Sequence, residues 1–132
     1  DLSKSQWKQL AAAMKAARCF PFMDVAYQGL GSSMEDDAYG IRLFAEMGFD
    51  MLVCQSFSKN LGLYGERCGA LHVVCSSSTA ATNVYDRLRC LIRWEFSSSP
   101  LYGARLADII LESSSFQDSW SALHHNQHFF YS

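Results

Sequence analysis

A glycine-containing segment between Ser56 and Arg67 brings together residues that could bind a phosphate and react with a carbonyl group. Arginine presents a planar fork of donors that matches a phosphate, and serine hydroxyls add neutral donors, so Ser56, Ser58 and Arg67 are candidate phosphate ligands. Lys59 lies among them. The ammonium form of a lysine beside fixed positive charge is disfavoured, which suits such a lysine to form a Schiff base. The alternative interpretation is a solvated surface loop with ordinary charges.

A carboxylate and a phenol precede this segment in the chain. Asp24 ends the short apolar run at residues 19–24, which predicts a strand, and Tyr27 follows it closely. If this strand and the strand before Lys59 are neighbours in a sheet, Asp24 and Lys59 reach the same edge. Pyridoxal phosphate needs a lysine to bind it and a carboxylate to keep its ring nitrogen protonated, and a phenol can hydrogen-bond its ring oxygen. Alone, a strand-end aspartate is more often a turn residue.

Hydrophobic periodicity predicts the elements that position these residues, as an α/β fold with a mainly parallel sheet and covering helices. The segment at residues 55–67 shows neither alternation nor a helical face, so it is expected to be a loop. Gly48 is expected to end the second helix in the left-handed conformation. Helices are predicted at residues 3–17, 36–47, 79–93 and 102–111, and strands at residues 19–24, 51–54 and 69–75.

Composition and net charge argue against two classes of binding partner, nucleic acids and membranes. The 132 residues are 49% hydrophobic and 18% charged, which is typical of one globular domain. A formal net charge of -2 does not provide the positive field that a nucleic-acid binder needs, so we expect no nucleic-acid partner. No apolar run approaches the roughly 20 residues that span a bilayer, and the first residues lack the pattern of a secretory signal, so we expect no membrane partner.

Cysteines and histidines do not form a recognisable metal motif. The cysteines are odd in number and irregularly spaced, which favours buried, reduced thiols over disulfides or zinc ligands. A histidine cluster near the end of the chain could bind a metal, but no carboxylate or thiol accompanies it. We therefore predict no metal site and a loose tail at residues 121–132. The cysteines are Cys19, Cys54, Cys68, Cys75 and Cys90, and the clustered histidines are His124, His125 and His128.

Three motifs give the chain a resemblance to the aspartate aminotransferases, pyridoxal-phosphate-dependent enzymes of fold type I. They are FPFMDVAYQG at residues 20–29, QSFSKNLGLYGERCG at residues 55–69, and GAR at residues 103–105. The resemblance covers residues 1–120, which correspond to the central part of the cofactor-binding large domain. It fades over residues 121–132, which we interpret as a divergent tail.

The resemblance implies a role for each candidate of the cofactor site. Lys59 would bind pyridoxal 5'-phosphate as a Schiff base and shuttle a proton during the reaction. Asp24 would pair with the ring nitrogen, and Tyr27 would hydrogen-bond the ring oxygen. The phosphate group would be bound by three residues of the second motif, Ser56, Ser58 and Arg67.

The resemblance also implies a substrate-binding residue. Arg93 matches the family arginine that reaches across a homodimer to the side-chain carboxylate of the substrate. Without the resemblance, Arg93 would be interpreted as a charge that complements the dipole at the end of a helix. The implied reaction converts aspartate and 2-oxoglutarate to oxaloacetate and glutamate. The segment that follows, FSSSP at residues 96–100, departs from the family's Trp-Ser-Asn-Pro-Pro.

Two further expectations concern the whole protein. The chain matches only part of a family member, so an alternative to catalysis is a truncated, non-catalytic product that associates with a full-length aminotransferase. Phe57 and Ser58 before the lysine are similar to the cytosolic branch of the family, so we expect a cytoplasmic location, with mitochondria as the alternative.

Overall fold

The computed structural model describes the backbone of residues 2–127 and the side chains of residues 2–123. Helices separate the first two strands, the third strand follows the second without a helix between them, and helices alone come after it, so the predicted α/β class is confirmed. In chain order the elements are α1 (Lys4–Ala16), β1 (Phe22–Val25), α2 (Met34–Asp37), α3 (Tyr39–Glu46), β2 (Met51–Ser56), β3 (Gly69–Val74), α4 (Ser78–Glu95), α5 (Tyr102–Glu112) and α6 (Ser114–Gln127).

The described sheet has three strands in the order β1-β2-β3. β1 and β2 are parallel, as the alternation of strand and helix predicts, whereas β2 and β3 are antiparallel. The reversal has a local cause: residues 57–68 connect β2 to β3 as a loop, without the helix that a parallel crossover usually contains. The sheet is therefore mixed rather than mainly parallel.

Helices α1 and α3 cover one face of the sheet. Ser3 caps α1 reciprocally with Gln6, and each of the two side chains accepts a backbone N–H from the other residue. Trp7 of α1 meets Phe44 of α3 edge to face, with 6.2 Å between the ring centroids. Gly48 follows α3 at φ +73°, as predicted. The fully enclosed centre of this core contains Ala11, Phe44, Phe49, Met51 and Val53.

The opposite face of the sheet is open in this chain. Because side chains alternate along a strand, Met23 and Val25 pack on the core while Phe22 and Asp24 point the other way. Phe22 is 67% exposed, and Leu71 of β3 is 47% exposed. This face carries Asp24, so a ligand could approach the carboxylate without displacing the core.

Two ion pairs join the helices at the start of the chain. Lys4 of α1 lies 3.1 Å from Asp36 of α2, and Arg42 of α3 pairs with Glu35 of α2. The hydrogen bond from Arg42 lowers the pKa of the Glu35 carboxyl, and the hydrogen bond from Lys4 lowers the pKa of the Asp36 carboxyl. Both carboxylates are at the surface, so each pair is screened by solvent and salt.

The loose tail predicted from residue 121 is wrong for residues 121–127, which continue α6. The helical pattern there is weak, but Trp120 anchors the helix through a hydrogen bond to the backbone of Asn60. Such tertiary contacts stabilise helices whose own pattern is poor. The side chains of His124 and His125, and the whole of His128, lie outside the described residues.

Cysteine burial also differs from the prediction. All five cysteines are free thiols, but Cys19 is exposed and the other four are only half-buried. Cys54 shows the reason, since it pairs in register with Asp24 and Leu71 on the open face of the sheet.

In the part of the chain that the structure describes, no helix combines the length and apolar character needed to cross a membrane. The described side chains also contain no group of three or more metal-ligating residues.

Candidate active site

The candidate residues from the two main motifs meet at one edge of the sheet. β1 and β2 are parallel neighbours, with Asp24 in register with Cys54, so their carboxyl ends lie side by side. Tyr27 comes two residues after β1, and Ser56 is the last residue of β2. Ligands commonly bind at this end of parallel strands. The edge is therefore the candidate site.

Lys59 and Tyr27 share the same space at this edge. The Lys59 Nζ lies 5.4 Å from the centroid of the Tyr27 ring, within the range of a cation–π contact. Tyr27 is 63% exposed and Lys59 is half-buried, so both functional groups remain accessible to a ligand. An amine and a phenol that come from separate motifs are thus available to one small molecule.

A compact turn fixes the backbone of Lys59. Gly62 N–H donates to the Lys59 carbonyl at 3.2 Å, and Leu63 N–H donates to the Phe57 carbonyl at 3.3 Å. Ser58 is buried at 4% exposure, and its N–H donates to the Ser56 hydroxyl at 3.2 Å. The two serines therefore lie together where the strand passes into the turn.

A second turn holds Tyr27. Leu30 N–H donates to the Tyr27 carbonyl at 3.0 Å, and Gly29 has φ +84°, which is the left-handed position of a type II turn. The Asp37 carboxylate accepts the N–H groups of Gly29, Gly31 and Ser32 at 2.8 to 3.0 Å. The last residue of α2 thereby fixes the loop that presents the phenol.

Arg67 closes the other end of the loop after β2. Ser56 is in register with Gly69, which brings both ends of residues 57–68 together. Arg67 has φ +51°, is exposed, and donates to the Tyr64 carbonyl at 3.1 Å. The guanidinium is thus on the same loop as Ser58, and Ser56 is the strand residue that precedes this loop. The hydrogen bond of the guanidinium is to the backbone of Tyr64 and not to either serine.

No contact among the described residues brings Arg93 to this edge. Arg93 lies in the last turn of α4, is exposed, and donates to the Ser97 hydroxyl. A role across a dimer needs a second chain, so the role of Arg93 stays a prediction.

Two residues that connect the turns, Asn60 and Trp120, were not predicted from the sequence. Asn60 is buried at 5% exposure and its Nδ2 donates to the Gln28 carbonyl at 3.3 Å. Its Oδ1 is buried without a hydrogen-bond partner among the described residues. Trp120 Nε1 donates to the Asn60 carbonyl at 2.5 Å. The position of Asn60 directly after Lys59 could have identified it, whereas nothing in the sequence links Trp120 to a residue so far away.

Two cavities border this region without coinciding with it. A groove of about 690 Å³ is lined by Asp24 and Tyr27 together with Trp7 and Asp36, but not by Lys59. A smaller cavity of about 170 Å³ lies beside Asn60 and Trp120. The space between Lys59 and Tyr27 is open at the edge of the sheet, and neither cavity encloses it. The candidate site is therefore identified by its functional groups.

The chemistry of this donor set fits pyridoxal phosphate. A primary amine and a phenol face one accessible space, and a carboxylate lies on the neighbouring strand. The adjoining loop supplies neutral and cationic donors of the kind that bind a phosphate. These donors are the hydroxyls of Ser56 and Ser58 and the guanidinium of Arg67.

Known proteins resemble this chain over nearly all of its length. Aminotransferase tasG of Hapsidospora irregularis is 59% identical over 114 residues, which are 86% of this chain and 35% of that protein. The mitochondrial aspartate aminotransferase of Xenopus tropicalis is 46% identical over 121 residues, which are 91% of this chain and 28% of that protein. The chain thus spans about a third of the length of the curated relatives it matches.

A solved structure supports the same assignment. The aromatic-amino-acid aminotransferase from Burkholderia pseudomallei, covalently bound to pyridoxal phosphate, superposes with a TM-score of 0.91 at 40% identity. The match covers 94% of this chain and 31% of that protein. The family model described as aminotransferase class I and II matches residues 1–132. With the motifs, the fold and the family model in agreement, the chain belongs to the class I and II aminotransferases.

Proposed function

We propose that the protein is a pyridoxal-phosphate-dependent aminotransferase that takes its amino group from aspartate and gives it to 2-oxoglutarate. The observation that carries the proposal is the position of the Lys59 Nζ beside the Tyr27 ring, at the carboxyl end of parallel strands. Support for the cofactor comes from the family and from the solved relative that holds pyridoxal phosphate covalently.

The candidate residues of this chain would bind different groups of the cofactor. Lys59 would hold the cofactor through its amine, and the same nitrogen would take up and return the proton of the substrate's α-carbon. Asp24 would hold a proton on the ring nitrogen, and Tyr27 would donate a hydrogen bond to the ring oxygen. Pyridoxal phosphate supplies, when bound, an electron-withdrawing ring that stabilises negative charge at the α-carbon. The phosphate would be bound by Ser56, Ser58 and Arg67.

Aspartate as the amino donor depends on Arg93. A guanidinium binds a carboxylate through two parallel hydrogen bonds, which a tyrosine or phenylalanine side chain cannot accept. Arg93 is exposed at the end of α4, and among the described residues its guanidinium donates a hydrogen bond to Ser97 alone, so it is accessible to a second protomer. We propose that it crosses the interface of a homodimer to reach the partner's substrate. Relatives named for aspartate and for aromatic amino acids are similarly identical to this chain, so Arg93 is the argument for aspartate.

The direct test is a transamination assay of the purified protein with pyridoxal phosphate. We expect oxaloacetate from aspartate and 2-oxoglutarate, with a larger kcat/KM for aspartate than for tyrosine. Lys59→Ala should abolish the activity, while Lys8→Ala, on the exposed face of α1, should leave it unchanged. Activity that survives in Lys59→Ala would contradict the assignment of the lysine, and a preference for tyrosine would contradict the substrate.

A second function is favoured by the open surfaces of this chain. Helix α4 has no buried residue among the described side chains, and its Trp94 is 73% exposed. An apolar surface of this kind promotes association. The alternative is therefore a non-catalytic chain that associates with a full-length aminotransferase. Co-purification with such an enzyme, in the absence of transaminase activity of its own, would support it, and recovery of a catalytically active homodimer would exclude it.

The location that we propose is the cytoplasm. It is based on Phe57 and Ser58 before Lys59, which are similar to the cytosolic branch of the family. Immunoblotting of cytosolic and mitochondrial fractions would test it, and recovery of the protein in the mitochondrial matrix would contradict it.

A further inference from the structure

We propose that Trp120 is a positioning residue that holds the Lys59 turn against the Tyr27 turn, and that it thereby sets the spacing of the two functional groups. The inference rests on the proposed role of Lys59. Trp120 acts through Asn60, which follows Lys59 directly, and through Gly29, which lies in the Tyr27 turn.

The indole of Trp120 reaches both turns. On one side its Nε1 donates to the Asn60 carbonyl at 2.5 Å. On the other side the ring lies against Gly29, where an added Cβ would come within 2.5 Å of the Trp120 Cη2. Gly29 thus leaves the space that the indole occupies. A single side chain from α6 therefore contacts the residue after Lys59 and the turn after Tyr27.

Asn60 ties the same two turns independently. Its Nδ2 donates to the carbonyl of Gln28, which follows Tyr27, and the Gln28 side chain accepts from Gln55 Nε2 at 3.0 Å. Gln55 in turn bonds His72 of β3 at 3.0 Å. These hydrogen bonds are part-buried, apart from the one at His72, so water competes poorly for them. They connect the turns to the centre of the sheet.

Lys59 would carry the reactive nitrogen, and Trp120 would fix the backbone that positions it. When a catalytic group is misplaced by about 1 Å, the rate of the reaction falls strongly, because the reacting atoms are no longer aligned. Lys59 has a long flexible stem, so the position of its nitrogen depends on the backbone of its turn. Without the Trp120 bond, the turn would sample more conformations, and Lys59 would occupy its place beside Tyr27 for less of the time.

The test compares Trp120→Phe with Tyr85→Phe in the purified full chain. Trp120→Phe keeps an aromatic ring near Gly29 but removes the donor to Asn60, whereas Tyr85→Phe removes one polar group from an exposed ring on α4 that is remote from both turns in sequence. Two quantities are measured: hydrogen exchange of peptides covering residues 57–63, and the pH profile of Lys59 labelling by pyridoxal phosphate and borohydride.

Loss of one hydrogen bond should speed exchange at residues 57–63 and lower the labelling rate of Lys59 by about 2- to 10-fold. Exchange in β2 and β3 should stay unchanged, as should both quantities in Tyr85→Phe. If Trp120→Phe fails to fold, benzothienylalanine at position 120, which has the size of tryptophan and lacks the N–H, replaces it in the same comparison.

The outcomes separate this inference from the proposed function. Absence of label on Lys59 in the unmodified protein would overturn the role of Lys59 and, with it, the inference. Label on Lys59 that has the same rate and pH profile in Trp120→Phe, with unchanged exchange at residues 57–63, would overturn only the inference. A uniform rise of exchange across the whole sheet would also overturn it, because Trp120 would then stabilise the fold in general.

Discussion

The Lys59 Nζ lies 5.4 Å from the centre of the Tyr27 ring, although the two residues belong to different loops. The parallel pairing of β1 with β2 brings the two loops to one edge, and the hydrogen bonds of Asp37 and Asn60 hold each loop in place. An amine beside a phenol, with a carboxylate on the adjoining strand, is the arrangement that a pyridoxal-phosphate enzyme needs.

Asp37→Asn should destabilise the fold by about 1–3 kcal/mol, because the carboxylate accepts three backbone N–H groups of the Tyr27 turn. An amide has one acceptor oxygen and would present its NH2 group to at least one of these donors. Urea unfolding measures the change. Asp50→Asn is the matched control, because Asp50 is exposed, and an equal loss in both variants would refute the role of Asp37.

Substituting Gly29 and Gly62 by alanine would distinguish the cost of backbone strain from the cost of steric overlap. Gly29 and Gly62 both have positive φ, but only at Gly29 would a Cβ meet other atoms, the Met34 sulfur and the Trp120 ring. Gly62→Ala should therefore cost about 1–2 kcal/mol from the left-handed backbone alone. Gly29→Ala should add about 1–3 kcal/mol from overpacking. Equal free energies of unfolding for the two variants would show that neither the Met34 nor the Trp120 side chain closes the space at Gly29.

Acid should weaken the contacts of α2 with α1 and α3. The pKa values of Glu35 and Asp36 are lowered in the folded chain by Arg42 and Lys4, so these pairs contribute stability above the ordinary carboxyl pKa. That contribution is lost as the pH falls through the lowered values. Arg42→Gln should therefore be less stable than the unmodified chain near neutral pH in low salt. The difference should vanish in acid, and a difference that persists there would contradict the ion pair.

Arg93→Leu should reduce kcat/KM for aspartate by about 10- to 100-fold, because a charged, bidentate hydrogen bond to the substrate is lost. Activity with tyrosine should change much less, since its side chain has no carboxylate. Arg87→Leu, an exposed arginine on the same helix, serves as the control. A parallel fall for both substrates would place Arg93 in folding or dimerisation instead of substrate recognition.

Sequence patterns predicted most of the elements because their periodicity is strong. The run Met51–Cys54 lies within β2, and the helical face that ends at Gly48 corresponds to α3. The loop predicted at residues 55–67 is correct from residue 57 onwards, but β2 continues through Gln55 and Ser56, which pair with β3. The placement of Asp24 beside the strand of Lys59 followed from the preference of alternating elements for parallel strands.

The features that were missed depend on tertiary contacts. β3 runs antiparallel to β2, and the two strands are joined by a loop without a helix. The sequence of this loop does not by itself show which way the next strand runs. Helix α6 has weak periodicity and is anchored by Trp120, and the cysteines are half-buried because one face of the sheet is open in this chain. Asn60 is polar and buried, a combination that only its partners explain.

The central claim is that Lys59 is the residue that binds pyridoxal phosphate. Its most direct test adds pyridoxal phosphate to the purified protein, reduces the mixture with borohydride, and maps the labelled peptides by mass spectrometry. We expect a label confined to Lys59, with Lys8 and Lys15 of α1 unlabelled at the same cofactor concentration. Label spread over the surface lysines, or no label on Lys59, would contradict it.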